Sequence, residues 1–234
     1  MSPTHTLLVN LLTQNVDTTQ KVSIVDFGCG AGDLIPYLQE KIHIKSYIGL
    51  DVNFDSIYSA KKIYPHFSFS GIKGENSYNL GATNSQDAIF LVGVLQYMTN
   101  KEIAFLVTQM HRVLKPGGLI LLSTTTDSFV YRAINLYHFF LPHRYFSSKV
   151  LEKVLIRLGF SIETSTKKGL FVAPLFSSLL SFFFDALDKV LFRTKGTLGP
   201  VGKCSRRCVA PLIAFEYTLP ISFGYTTCIV ARKR

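Results

Sequence analysis

The stretch that most constrains this chain is Val22–Asp33, VSIVDFGCGAGD. A β-branched apolar run that ends on a glycine cluster reads as a buried parallel strand turning sharply at its carboxyl end. Glycines allow that turn and let a ligand approach the backbone without a Cβ in the way. A helix starting just beyond it points free N–H groups at the same place. The glycines stand at 28, 30 and 32, and Asp33 occupies the position where a dinucleotide-binding loop has its third glycine. An acid there repels a pyrophosphate and suits a cationic ligand without phosphates. Taken alone, the loop is equally readable as a tight turn that binds nothing.

Asp51 changes that balance. It ends a second expected strand, Ser46–Leu50, and lies 19 positions after Gly32. An acid at this point accepts hydrogen bonds from the two hydroxyls of a ribose lying across the strand ends. The other reading, a cap for the next helix, suits Asn53 better. Beyond it the chain alternates strand with helix. Expected helices are a short one with Pro36 in its first turn, Phe54–Ile63, Asn100–Leu114 opened by a Thr99/Glu102 capping box, and one from Ser147 that Gly159 ends. Expected strands are Phe67–Ser70, Ala88–Val92, Leu119–Ser123 after the breaker Lys115–Gly118, Phe160–Thr164 and Tyr225–Ala231. That rhythm predicts a doubly wound α/β sheet with helices on both faces.

Three motifs together, VDFGCGAG (Val25–Gly32), GLDVN (Gly49–Asn53) and HRVLKPGGLILLS (His111–Ser123), resemble the class I S-adenosylmethionine-dependent methyltransferases that act on small molecules. The resemblance covers roughly residues 20–165 and the final strand. It implies a Rossmann-like seven-stranded sheet with an antiparallel last strand, and S-adenosyl-L-methionine as the cofactor. It also implies roles. Gly28, Cys29, Gly30 and Gly32 would line the methionine part, with Asp26 close to its amine. Asp51 would hold the ribose, with Val52 beside it. Glu75 and Asn76 would meet the adenine, although GENSYNL departs from the usual Gly-Asp pattern. Gly93 to Tyr97 would face the methionine part and the acceptor.

Several acceptor classes lack their motifs. No Asp/Asn-Pro-Pro-Tyr follows the fourth strand, where Leu91-Val92-Gly93-Val94 stands, and neither a Pro-Cys nucleophile nor a catechol-type carboxylate cluster is visible. No Cys/His spacing suggests zinc, and Cys204 and Cys208 read as ordinary thiols. Methyl transfer needs alignment and exclusion of water, plus a base if the acceptor is a hydroxyl. His138, His143 and Tyr145, in the segment 131–146, and Tyr97 are the candidates, Gln96 standing beside Tyr97. Each is also readable as a packing residue or as part of a helix cap.

The charge is uneven. Residues 1–127 hold 9 Lys/Arg against 10 Asp/Glu, whereas residues 128–234 hold 16 against 5. The chain reads as one domain, 1–234, with an insertion at 167–223 before the last strand. Gly169–Phe184 carries no charge, and Arg193–Arg207 carries five Lys/Arg and no acid. The apolar part is shorter than the roughly 20 residues that span a bilayer. It reads as a lid over an apolar acceptor, as a membrane-facing element with anionic headgroups against its basic stretch, or as a core helix beside a solvated loop. Phe182-Phe183-Phe184 weighs against the last, since one helix face cannot bury three consecutive aromatics. The expectation is a small acceptor, lipid-like or isoprenoid, with membrane-surface contact through 169–207. Nucleic acid is disfavoured because the basic residues adjoin apolar ones, and RNA methylation or a non-catalytic binding subunit remain the alternatives. Without a recognisable signal peptide or disulfide framework, the expected location is cytoplasmic, at most peripheral at the membrane.

Overall fold

The computed structural model describes residues 2–74, 78–128, 144–169, 200–219 and 224–234. The described elements run α1 (Pro3–Thr13), β1 (Lys21–Phe27), α2 (Ile35–Lys41), β2 (His43–Asp51), α3 (Phe54–Ile63), β3 (Ser68–Gly71), β4 (Gln86–Val92), α4 (Asn100–Val113), β5 (Leu114–Thr125), α5 (Ser148–Arg157), β6 (Phe160–Lys168), α6 (Pro200–Thr218) and β7 (Thr226–Lys233).

The seven strands form one sheet in the order β3-β2-β1-β4-β5-β7-β6. The first five pair in parallel, and β7 is antiparallel to both β5 and β6. Each central strand is apolar on both sides, so alternate residues feed two cores. In β4, Ile89 and Leu91 pack with Ile103, Leu106 and Met110 of α4 and with Leu151 and Leu155 of α5. Ala88 and Phe90 face the other way, onto Leu8 and Leu12 of α1, Leu38 of α2 and Ala60 of α3. The result is three layers, helices over both faces of the sheet.

Caps set several helix starts. Asn53 Oδ1 accepts from the N–H groups of Asp55 and Ser56, and the Thr99/Glu102 capping box closes in both directions. Ser147 stands at the N-cap of α5, but its side chain makes no capping bond.

Three features depart from the sequence expectation. The N-terminal residues form α1, which packs against α2 and α6 and buries Leu8, Val9, Leu11 and Leu12. Lys115–Gly118 does not separate α4 from its strand, because β5 begins at Leu114. The register moves from Gln86↔Leu114 to Ala88↔Leu119, so these residues form a bulge, with Gly117 at φ +78°. Part of the expected insertion is helical, in α6, which contains Pro211 and exposes Leu212 and Phe215.

The order reverses between β1 and β4, the kind of switch point at whose strand carboxyl ends open α/β sheets bind ligands. Other chain segments meet the sheet on the same rim. Thr125 at the end of β5 pairs with Thr226, which pairs with Lys168 at the end of β6, and Tyr225 N–H donates to Gly169 O at 2.6 Å. The chain therefore leaves for 170–199 and returns to β7 at the rim where the parallel strands end. Residues 144–146 return there too, Phe146 N–H donating to Thr125 O at 3.2 Å and Asp127 N–H to Phe146 O at 3.0 Å.

Candidate cofactor and acceptor site

The glycine loop is tied down at its entry and open in its middle. Leu50 O accepts from Gly28 N–H at 2.6 Å and from Cys29 N–H at 3.0 Å, which fastens the loop to the end of β2. Gly28 sits at φ +85°, and a Cβ there would lie 2.2 Å from Val94 Cγ2, so the loops after β1 and β4 touch. Gly30, at φ +53°, is different: the nearest atom to an added Cβ is Asp33 Oδ2 at 3.7 Å. Its outer side is free, as a backbone cradle for a ligand requires. The Cys29 side chain packs into the core on the side of α1 to α3, and burial pushes its thiol up. Only its backbone belongs to the loop surface.

Asp51 holds the crevice together. Its Oδ2 accepts from Gly30 N–H and its Oδ1 from Asn53 N–H, both at 2.8 Å. Each carboxylate oxygen has a second lone pair. The residue can therefore take two ribose hydroxyls while keeping both backbone bonds, and the same carboxylate ties the glycine loop to the start of α3. Ile72 N–H donates to Asp51 O at 2.8 Å, which brings the turn after β3 alongside.

Val52, beside Asp51, is 71% exposed. Phe54, read from the sequence only as the start of a helix, lies against Gly71, and Lys73 Nζ stands 5.3 Å from its ring centroid. Glu75 and Asn76 lie outside the described residues.

Asp26 is buried at 2% exposure, and Tyr47 OH donates to its Oδ2 at 2.6 Å. Burial, with smaller contributions from the Asp51 and Asp33 charges, pushes its carboxyl up to about 7, against the opposing pull of the Tyr47 bond. Its partnership with Tyr47, across 21 residues, has no local signal in the sequence.

After β4, Gly93 turns at φ +66° and its N–H donates to Ser123 O at 3.0 Å. Gln96 is buried, and its Oε1 accepts from Thr124 Oγ1 at 3.3 Å, whereas Tyr97 is 63% exposed. Arg144 clamps this turn. Its N–H donates to Gln96 O at 3.1 Å, and its guanidinium donates to Met98 O and to Asn100 Oδ1, each at 2.6 Å. Tyr145, next to it, is half-buried, and His138 and His143 lie outside the described residues. Arg144 was not singled out from the sequence, because its partners are 44 to 48 positions away.

A family model described as a methyltransferase domain matches residues 24–118. No curated protein sequence matches the chain. Among solved structures, a putative sarcosine dimethylglycine methyltransferase from Galdieria sulphuraria superposes with a TM-score of 0.66 at 14% identity, covering 98% of this chain and 85% of that one. The [4+2]-cyclase SpnF gives 0.63 at 18% identity, over 97% of this chain and 81% of that one. The magnesium protoporphyrin IX methyltransferase of Synechocystis PCC 6803, solved with bound SAH, gives 0.58 at 14% identity, over 99% and 82%. These identities speak for a common fold, not for a common substrate. Residues 24–118, which contain the glycine loop and Asp51, match the methyltransferase domain family, and the seven-stranded sheet has the fold of S-adenosylmethionine-dependent methyltransferases.

Proposed function

We propose that this methyltransferase acts on a small, hydrophobic acceptor, lipid-like or isoprenoid, enclosed by the insertion 167–223 and the segment 129–143. The observation that carries the reading is the shared rim. Both segments are rooted at the carboxyl ends of β5 and β6, on the same side of the sheet as the glycine loop. One of them contains the uncharged run Gly169–Phe184. Apolar chain rooted there supports a water-excluding wall around the acceptor, which is what in-line methyl transfer needs. Neighbours that share the fold include a magnesium protoporphyrin IX methyltransferase and a putative sarcosine dimethylglycine methyltransferase, so the fold is compatible with acceptors of differing polarity.

The cofactor supplies an activated methyl group on a sulfonium, whose carbon–sulfur bonding pair stays on sulfur as the acceptor's lone pair takes the methyl. The chain's own tasks are binding and alignment. In this reading Asp51 and Val52 hold the adenosine, Gly30 and Gly32 cradle the methionine part, and Glu75 and Asn76 reach the adenine. Tyr97, Tyr145, His138 and His143 border the acceptor, where one of them takes its proton if the acceptor is a hydroxyl. Basic residues in 193–207 add attraction for anionic headgroups, so membrane-surface contact through 169–207 belongs to the same proposal. No helix among the described residues is long and apolar enough to cross a membrane.

The test uses methyl-labelled S-adenosylmethionine with an extract of the protein's own cells, followed by separation of lipid, aqueous, nucleic-acid and protein fractions. Label in the lipid fraction that disappears with Asp51→Ala is the expected result. Label confined to RNA, protein or polar metabolites would refute the apolar acceptor.

A further inference from the structure

The outer face of α6 is apolar. Cys208, Leu212 and Phe215 stand at i, i+4 and i+7, so they share one side of the helix. All three are exposed, Leu212 at 56% and Phe215 at 63%, and Pro211 and Ala214 beside them are exposed too. The opposite side is held to the fold. Glu216, the one acid of the helix, is buried, and Tyr217 OH bonds at 2.9 Å to Thr4 Oγ1 of α1 and at 2.9 Å to Thr226 Oγ1 of β7. The carboxyl end of the helix is fastened at the rim, where Lys168 Nζ, at the end of β6, donates to Leu219 O at 2.6 Å.

A single exposed leucine is ordinary, whereas two large apolar side chains on one face of a helix whose acid is turned inward call for a cover. Charge says what covers them. The sequence of α6 contains Lys203, Arg206 and Arg207, residues 193–207 hold five Lys/Arg and no acid, and residues 128–234 hold 16 Lys/Arg against 5 Asp/Glu. A second copy of this chain would set the same positive charge against itself, and a nucleic acid has no use for an apolar ridge. An anionic lipid surface meets both needs. Its headgroups take the cations, and the apolar residues enter the boundary between headgroups and acyl chains.

We propose that the outer face of α6 docks this protein on an anionic membrane surface, with Leu212 and Phe215 as the inserted residues. The docking face rests on the membrane-facing reading of 169–207, extends it to residues 208–219 and gives it an orientation. Because Lys168 and Thr226 tie the end of α6 to the rim, a lipid surface against α6 lies beside the segments that leave the sheet there. A hydrophobic acceptor then reaches the rim from the bilayer by a short path.

The test mixes the full chain with phosphatidylcholine vesicles and with vesicles that also contain phosphatidylglycerol, read by co-sedimentation. Preference for the anionic vesicles, released by salt, is expected. Leu212→Ser combined with Phe215→Ser is expected to weaken that binding at least about tenfold, with thermal melts unchanged because both side chains are exposed. As a second measurement on the intact face, an environment-sensitive fluorophore is placed on Cys208 in a Cys204→Ser background, Cys29 and Cys228 being buried. Its emission is expected to shift to the blue on the anionic vesicles. Wild-type protein that ignores anionic vesicles, a double variant that binds them as well as wild type, or a fluorophore unchanged in bound protein would overturn the docking face. So would self-association that the double variant abolishes, which would assign the face to a second copy. Methyl label in the lipid fraction without vesicle binding would sink the docking face and leave the apolar acceptor standing. Vesicle binding with label only in polar metabolites would do the reverse.

Discussion

Asp26 offers a quantitative test of how the site is built. Its carboxyl titrates near 7 in the folded protein because it is buried beside two other acids, and near the ordinary 3.8 when unfolded. A folded-state value above the unfolded one means that this group favours folding most below about pH 4, where it is protonated in both states. The advantage is lost as pH rises toward 7, since the unfolded chain releases the proton and the folded one retains it. Each full unit costs about 1.4 kcal/mol, and the folded carboxyl is half ionised at pH 7, so the span from pH 5 to pH 7 comes to roughly 2 kcal/mol. Asp26→Asn removes the titration. Its amide oxygen still accepts from Tyr47, and whatever its amide nitrogen costs is the same at every pH. Urea unfolding of both proteins at pH 5, 6, 7 and 8 without cofactor isolates this one group, because all other titrations cancel in the difference. The variant is expected to gain roughly 2 kcal/mol on the wild type between pH 5 and pH 7, then level off. A difference that stays flat across the range would refute the assignment of a neutral, buried Asp26. A difference of the opposite sign would show that the carboxylate is instead ionised and held by a partner.

Other substitutions separate the parts of the site. Gly28→Ala, which meets both a positive φ and Val94, is expected to cost about 3 kcal/mol in thermal or urea unfolding. Gly30→Ala, with open space around its Cβ, is expected to cost only about 1–2 kcal/mol while still abolishing cofactor binding in a calorimetric titration. Thr99→Ala loses the capping box of α4 and is expected to cost about 1 kcal/mol, with cofactor affinity unchanged. Arg144→Ala releases the turn at 96–100, and the expected outcome is a raised acceptor KM and lowered kcat with an unaltered cofactor Kd, read from steady-state kinetics beside direct binding.

Most of the sheet was legible because its signals are local. Val22–Phe27 and Ala88–Val92 are continuous apolar runs bounded by glycine or polar punctuation, and Asn53, Thr99 and Glu102 announce their helices within three residues. α1 was missed for the converse reason: Ser2 makes no side-chain cap, and the helix carries no acid in its first turn or base in its last. Lys115–Gly118 reads as a breaker, since Pro and Gly interrupt regular pairing, yet the sheet absorbs the extra residues as a bulge. Within the site, the glycines and Asp51 follow from spacing. Tyr47 and Arg144 acquire meaning only through partners 21 to 48 positions distant, which no window along the chain brings together.

The placement of the two rooted segments bears on how such a protein can change. Both leave and re-enter the sheet at one rim, through main-chain pairings at Thr125, Lys168 and Thr226, while the cofactor loop is fixed independently through Leu50 and Asp51. If these segments wall the acceptor as proposed, they are interchangeable parts hung on a fixed frame, able to lengthen, shorten or be traded for another chain's without disturbing the bonds through Leu50 and Asp51 that fix the glycine loop.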